Sequence, residues 1–102
     1  DGSETIYDPT YISCEINNNN YSVKTFPNPS KSSFNITLDS KGLSGNAYLH
    51  IANLKGKNVY TKNINVMSGV NNLLIDSNFE KGVYLISIQL QDKVLRCKHV
   101  VN

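Results

Sequence analysis

The stretch Val23-Lys24-Thr25-Phe26-Pro27-Asn28-Pro29-Ser30 decides how this chain can fold. A short extended run ends here in two prolines, which hold φ at about −65° and lack a backbone N–H. The asparagine between them precedes a proline and is therefore disfavoured in helical conformations. Because proline cannot donate to the ladder of a sheet, the stretch must end a strand. We expect a stiff corner through which the first strand leaves one sheet, so that the second strand begins elsewhere.

Apolar and polar residues alternate with a period of two from residue 21 onward, which indicates strands. Phe34, Ile36 and Leu38 fall on one face of the second run, for example. The turn at Lys55-Gly56-Lys57-Asn58 places a glycine where φ can be positive. The predicted strands cover residues 23–26, 33–38, 47–53, 59–66, 70–75, 83–90 and 94–101. About seven short strands with frequent turn signals predict an all-β fold, an immunoglobulin-like antiparallel β-sandwich.

Tyr84 lies near the start of the sixth predicted strand. Immunoglobulin-like sandwiches often place a tyrosine there whose hydroxyl bonds back across a corner. A tyrosine that simply fills the core accounts for the same position equally well, so both interpretations stay open.

Residues 1–20 differ from the rest of the chain in charge. They hold four acidic residues and no lysine or arginine, whereas residues 21–102 hold ten basic and four acidic residues, a balance of +6. We predict an acidic linker, or the tail of an upstream region, over residues 1–20 and one folded domain over residues 21–102. Solvated lysine-bearing strands account for the positive charge, and attraction to an anionic surface is the alternative. Nucleic acid is not expected, because only one basic residue is arginine and no recognition motif is present.

No group of residues in the sequence indicates catalysis or a cofactor. Cys97 and His99 would share a strand face, but a closed zinc site needs about four ligands and no second pair follows. His50 falls on a polar strand face beside Tyr48, where we expect it to be solvated. No serine lies in a G-x-S-x-G context. We therefore predict no catalytic residues, no metal and no cofactor.

The two cysteines, Cys14 and Cys97, are far apart in the sequence. They could form one disulfide in an oxidising compartment. Because Cys14 falls in a segment that looks loosely attached, the sequence favours two unpaired thiols, and pairing stays the alternative.

Four segments in this order carry a resemblance to a known family. They are Phe26-Pro27-Asn28-Pro29, Asn53-Leu54-Lys55-Gly56-Lys57-Asn58-Val59, Phe79-Glu80-Lys81-Gly82-Val83-Tyr84-Leu85-Ile86 and Lys98-His99-Val100-Val101-Asn102. Their order resembles that of the type A C-terminal sorting domain of proteins exported by the type IX secretion system of Bacteroidetes, and the resemblance extends over about residues 21–102. Two positions depart from the family pattern. Phe79 replaces a more usual leucine, and His99 replaces an aliphatic residue, so we expect the last strand to be less buried there or locally pH-sensitive.

The resemblance implies a non-catalytic address label attached to an upstream cargo protein. Such a domain crosses the periplasm and directs its cargo through the outer-membrane translocon to the cell surface or the medium. A surface sortase removes it, by position within the region from Cys14 to Val23, and anionic lipopolysaccharide is a further partner. Dimerisation through an edge strand is also compatible with the fold. The residues expected to carry the signal are Pro27, Asn28, Pro29, Gly56, Lys57, Gly82, Tyr84, Lys98, Val100 and Val101.

A second class of function fits the same fold. An immunoglobulin-like accessory module would bind carbohydrate or protein for an upstream enzyme, with exposed tyrosines such as Tyr48 and Tyr60 stacking on sugars.

Overall fold

A computed structural model of the chain describes residues 12–17, 21–28, 30–76 and 78–102. These residues form nine strands in two sheets and no helix. The strands are β1 Ile12–Ser13, β2 Glu15–Asn17, β3 Ser22–Phe26, β4 Ser33–Asp39, β5 Gly45–Asn53, β6 Asn58–Val66, β7 Val70–Asp76, β8 Gly82–Leu90 and β9 Lys93–Val101. The order is β1-β9-β8-β5-β6 in one sheet and β2-β3-β4-β7 in the other. All pairs are antiparallel except β1 with β9. The predicted sandwich is confirmed, and its seven expected strands are β3 to β9.

The alternating pattern builds the core between the two sheets. Side chains at every second position of β4 and β5, such as Phe34, Ile36 and Leu49, are almost completely buried. Strand β8 is buried on both faces over residues 84–88. Burying each such apolar side chain contributes about 1.5–3 kcal/mol. Among the described residues, no helix is long and apolar enough to cross a membrane.

The segment predicted to be a linker contributes to both sheets. Strand β1 lies parallel to β9, and β2 pairs antiparallel with β3. Cys14, between them, donates its N–H to the carbonyl of Lys98 at 3.2 Å and accepts from the N–H of Thr25 at 3.0 Å. Residues 1–11 and 18–20 lie outside the described residues, as does Pro29. The division into residues 1–20 and 21–102 stays a prediction. Residues 12–17 fall before the predicted boundary, but they pair with strands that come after it.

Cys14 and Cys97 form a disulfide, so the preference for unpaired thiols is wrong. Their Cα atoms are 4.8 Å apart although 83 positions separate them in the chain. Both are buried. The composition of the leader suggested loose attachment, but the strand pairing of residues 12–17 brings Cys14 against β9.

The corner after Phe26 does not send the chain into the other sheet as predicted. Strands β3 and β4 are antiparallel neighbours in one sheet, so the chain returns beside the strand that it has just left. The Phe26–Pro27 peptide bond is cis. The middle of the connection between β3 and β4 reaches the other sheet, where Ser30 forms a β-bridge with Val101 of β9. Strand β3 ends directly before Pro27 as expected, and the hydrogen bonds of Ser30 set the path of the loop.

Candidate functional site

The described residues of the predicted signal lie together at one end of the sandwich, which we call the motif end. The motif end comprises the corner 26–30, the β5–β6 turn 53–58, the start of β8 and the last residues of β9. Strand register brings them together. Tyr84 of β8 pairs with Asn53 on one side and with His99 on the other, and Gly82 pairs with Val101. Four segments that are far apart in the sequence therefore share one surface.

The β5–β6 turn is held by one side chain, Asn53. Its Oδ1 accepts the N–H groups of Lys55 at 2.9 Å and Lys57 at 3.0 Å. Its backbone accepts from Gly56 at 3.0 Å and donates to the Lys57 carbonyl at 2.9 Å. Gly56 has φ 85°, which confirms the predicted conformation. The sequence reasoning missed the role of Asn53, although asparagine at the start of a turn commonly bonds backbone groups in this way.

Tyr84 bonds across the corner that leads into β8. Its hydroxyl donates to the carbonyl of Glu80 at 2.6 Å, while its ring packs on Phe79 with centroids 5.1 Å apart. Both interpretations of this tyrosine are therefore correct at once. Burial raises the pKa of Tyr84 above its usual value, and the Glu80 carboxylate raises it further. The hydrogen bond to the Glu80 backbone lowers this pKa but does not offset the other two effects. The phenol stays neutral and anchors the loop that precedes β8.

The corner 26–30 is bonded to the end of β9. Ser30 donates its N–H to the Val100 carbonyl at 2.9 Å and accepts from the N–H of Asn102 at 2.7 Å. The N–H of Val100 donates to Oδ1 of Asn28 at 3.3 Å. These contacts explain why an asparagine stands between the two prolines, since neither proline could offer a polar side chain to the strand end.

His99 joins the corner, β3 and β9 in the core of the motif end. Its Nδ1 lies 2.7 Å from the hydroxyl of Thr25, its Nε2 lies 2.8 Å from the hydroxyl of Ser30, and its ring stacks on Phe34. Its exposed fraction is 0%, so the expectation of a less buried strand is wrong. Burial lowers the pKa of His99 from 6.5 to about 4, in line with the expected pH sensitivity.

The geometry fixes the direction of each hydrogen bond around this imidazole. The Ser30 hydroxyl donates to the carbonyl of Lys31 at 2.8 Å, so it can only accept from Nε2–H of His99. Nδ1 therefore accepts from Thr25. A nucleophilic serine would have to donate to its histidine instead. Both groups are also buried away from any substrate, so this serine–histidine pair is structural.

Two surface depressions flank Tyr84 at the motif end. One, of about 320 Å³, is lined in part by Lys55, Glu80 and Lys81. The other, of about 310 Å³, shares Glu80 and Tyr84 and reaches Lys57. Three lysines, Lys55, Lys57 and Lys81, line these depressions against one carboxylate, Glu80. The surface around the depressions is therefore basic.

The last part of β9 divides its residues between two faces. Val101 is buried, as are the inward-facing neighbours along the strand. Lys98 and Val100 are half-buried on the opposite face. Of the predicted signal residues here, Lys98 and Val100 are accessible and Val101 belongs to the core.

Elsewhere on the chain, the described residues contain no cluster of three or more metal-ligating side chains. Tyr48 is 41% exposed on the outer face of the five-stranded sheet, where its ring meets that of His50 edge-on. A depression of about 190 Å³ beside them is lined also by Arg96. Tyr60 pairs with buried Ile51 and so points toward the other sheet. The two tyrosines cannot form one platform.

Comparison with known proteins identifies the family. The family model described as the secretion system C-terminal sorting domain matches residues 24–102. No curated protein matches the chain. The crystal structure of dimeric latent PorU from Porphyromonas gingivalis is similar at 17% identity and a TM-score of 0.57, covering 80% of this chain and 9% of PorU. The crystal structure of the C-terminal domain of wzt aligns at 14% identity and a TM-score of 0.46, over 98% of this chain and 78% of that one. Likeness to PorU shows a shared fold, and the family match over three quarters of the sequence shows that this chain is a member of the type IX secretion C-terminal sorting domains.

Proposed function

We propose that this domain is a non-catalytic label whose motif end is recognised by the type IX outer-membrane translocon, so that the attached upstream cargo is exported. One observation carries the proposal. Four segments, separated by up to seventy positions of sequence, meet at one end of the fold through strand register and side-chain hydrogen bonds. A sandwich that served only as a spacer would have no need to gather them.

The buried Ser30–His99 pair is arranged as a structural contact, in keeping with a non-catalytic role. The serine and histidine that lie within hydrogen-bond distance are buried, and the serine hydroxyl is directed to a backbone carbonyl. Neither group can reach a substrate without unfolding of the motif end. The cargo crosses the periplasm with the domain and is delivered to the cell surface or the medium.

The translocon contacts the exposed surface and the lysines of the motif end. It does not bind by taking β9 into a sheet of its own. Strand β9 lies between β8 and β1, and its last residues are bonded to Ser30 and Asn28. Adding β9 to a partner's sheet would require these bonds to break. Deleting Lys98–Asn102 would also remove buried His99 and Val101, so such a deletion would test folding as well as recognition.

Charge variants at two places separate recognition from folding. A reporter with a signal peptide is fused to residues 1–102, and Lys55 and Lys81 are changed to glutamine together. The matched control changes Lys41 and Lys93, which line neither depression, in the same way. We expect at least a several-fold loss of secreted reporter for the first pair and near-normal secretion for the control. Equal secretion of the two, with both domains folded, would contradict recognition through the motif end.

Removal by a surface sortase and contact with anionic lipopolysaccharide belong to the same proposal. The basic motif end supports the second partner, because clustered lysines attract polyanions in a salt-dependent way. If the contact depends on charge, the difference in secreted reporter between the two double lysine variants should disappear at high salt.

Dimerisation, if it occurs, uses β7. Within the described part of the chain, β6 and β7 are the two long edge strands. Strand β6 carries Lys62 at its centre, a common guard against edge pairing. Strand β7 has no lysine, arginine or proline, and it leaves Val70 and Leu74 exposed by 62% and 60%. It is therefore the edge that can pair with a second copy.

A binding module remains the second candidate, supported by the depression beside Tyr48. Tyrosine, imidazole and guanidinium groups line it, and such groups bind polar ligands including sugars. A glycan array probed with wild type and with Tyr48→Ala decides between the two. If the reporter is still secreted and no glycan binds, the binding function is excluded and the sorting function stands.

A further inference from the structure

The connection between the leader and the sandwich restricts where the domain can be cut away from its cargo. This inference rests on the proposed function, in which a protease separates the two. The family resemblance places the scissile bond between Cys14 and Val23. Every bond in that region lies on the C-terminal side of Cys14, which is itself joined to Cys97 in β9. Hydrolysis there would break one link to the sandwich and leave the other intact.

We infer that the bond whose hydrolysis releases the cargo lies N-terminal to Ile12, and that residues 12–17 remain with the sandwich afterwards. Hydrolysis adds water across one peptide bond and gives a carboxylate and an amine. It does not change the disulfide, whose opening would need a separate reductant. A cut upstream of Ile12 therefore suffices for release, whereas a cut after Cys14 does not.

The backbone of residues 12–17 is also occupied. Ile12 and Ser13 pair with Cys97 and Lys98, and Glu15 to Asn17 pair with β3. The N–H and the carbonyl of Cys14 are bonded to different sheets. Proteases bind their substrates as extended chain with free backbone groups. These residues could be bound only after leaving both sheets, which the disulfide opposes.

The cysteine side chains support the same conclusion. Cys14 and Cys97 are exposed by only 1% and 2%, so reductants have little access to the sulfurs in the folded domain. The disulfide is therefore expected to persist through export. Residues 12–17 belong to the sandwich, although they precede β3 in the sequence.

Two engineered fusions test the mechanical claim. A fluorescent protein is placed before residue 1, and the recognition sequence of a site-specific protease is inserted either between residues 10 and 11 or between residues 18 and 19. With the upstream site we expect the protease to separate reporter and domain with or without dithiothreitol. With the downstream site we expect separation only when dithiothreitol is added together with enough urea to open the domain, because the two sulfurs are buried. Separation from the downstream site without reductant would overturn the inference.

A disulfide-free control uses the downstream site with Cys14→Ser and Cys97→Ser together. Separation without reductant is expected for this protein, and its continued association after cutting would show that strand pairing, not the disulfide, retains the leader. That result would refute the role given to the cysteines.

The natural cut is located in secreting cells that export the reporter fused to residues 1–102. Intact mass of the released domain should correspond to a single chain that begins at or before Ile12 and retains the disulfide. A domain that begins between Glu15 and Val23, or an exported fusion that is never cut, would overturn the inference while leaving the sorting function in place. Failure of the wild-type domain to export the reporter would instead refute the proposed function.

Discussion

Acid should destabilise this domain through one residue, His99. In the unfolded chain its imidazole takes up a proton with a pKa near 6.5, whereas in the folded domain the pKa is about 4. Between these pH values the unfolded state binds more protons, so the free energy of unfolding falls as the pH falls. The loss begins near pH 6.5 and is complete near pH 4. The difference corresponds to about 3 kcal/mol, a large part of the roughly 5–15 kcal/mol that stabilises a typical domain.

The structure explains why the neutral imidazole is favoured. Both ring nitrogens are bonded to neutral hydroxyls, those of Thr25 and Ser30, and the ring lies on Phe34. Protonation at Nδ1 would place a second N–H against Thr25, whose hydroxyl now donates to that atom. The hydroxyl would have to rotate, and the new charge would remain away from water.

Urea unfolding between pH 7 and pH 4, followed by circular dichroism, measures the effect. The matched variant is His99→Gln, which keeps a polar side chain but cannot be protonated. The two proteins differ at this one position alone, so the difference in pH dependence isolates His99. We expect wild type to lose about 3 kcal/mol more than the variant across this range. Parallel curves would refute the argument, as would an NMR titration in which the His99 ring signals move near pH 6.5.

Three further changes test other contacts. Tyr84→Phe keeps the ring and removes one hydrogen bond, which should lower the free energy of unfolding by about 0.5–1.5 kcal/mol, whereas Tyr48→Phe on the surface should change it little; equal effects in urea would contradict the assigned bond. Replacing Cys14 and Cys97 by alanine should cost about 2–5 kcal/mol, because the crosslink closes most of the chain into one loop; an unchanged denaturation midpoint would show that the crosslink restricts the unfolded state little. Leu74→Lys should abolish any self-association detected by sedimentation at high protein concentration, and dimers that persist would exclude β7 as the interface.

The alternating pattern was sufficient to predict the architecture. Period-two stretches located seven strands, and the inward positions, such as Phe34, Ile36 and Leu38, are buried as expected. Strand ends differ by one or two residues, for example at Gly45, where β5 begins before the apolar alternation does. Local polarity determines which face of a strand is buried, and this information is contained within each segment.

Contacts between distant segments could not be predicted in the same way. The disulfide depends on the pairing of β1 with β9, which alternation does not specify. The burial of His99 depends on hydroxyls at Thr25 and Ser30, more than sixty positions away, that satisfy both of its nitrogens. A lone histidine in an apolar strand suggests exposure until its partners are known.

The arrangement of the candidate site follows from both kinds of information. The four family segments supplied the residues predicted to carry the signal, and only strand register and the hydrogen bonds of the corner showed that they are neighbours. Polar contacts in the interior and at the corners, centred on His99, Tyr84 and Asn53, fix loops that would otherwise be mobile. Each contact joins a loop to a central strand, so the basic surface above them has a defined shape. A receptor that reads shape and charge together requires such rigidity, because each loop that must be ordered on binding lowers the affinity. In the proposed recognition by the translocon, the buried polar groups at this end therefore act indirectly, through the surface that they hold in place.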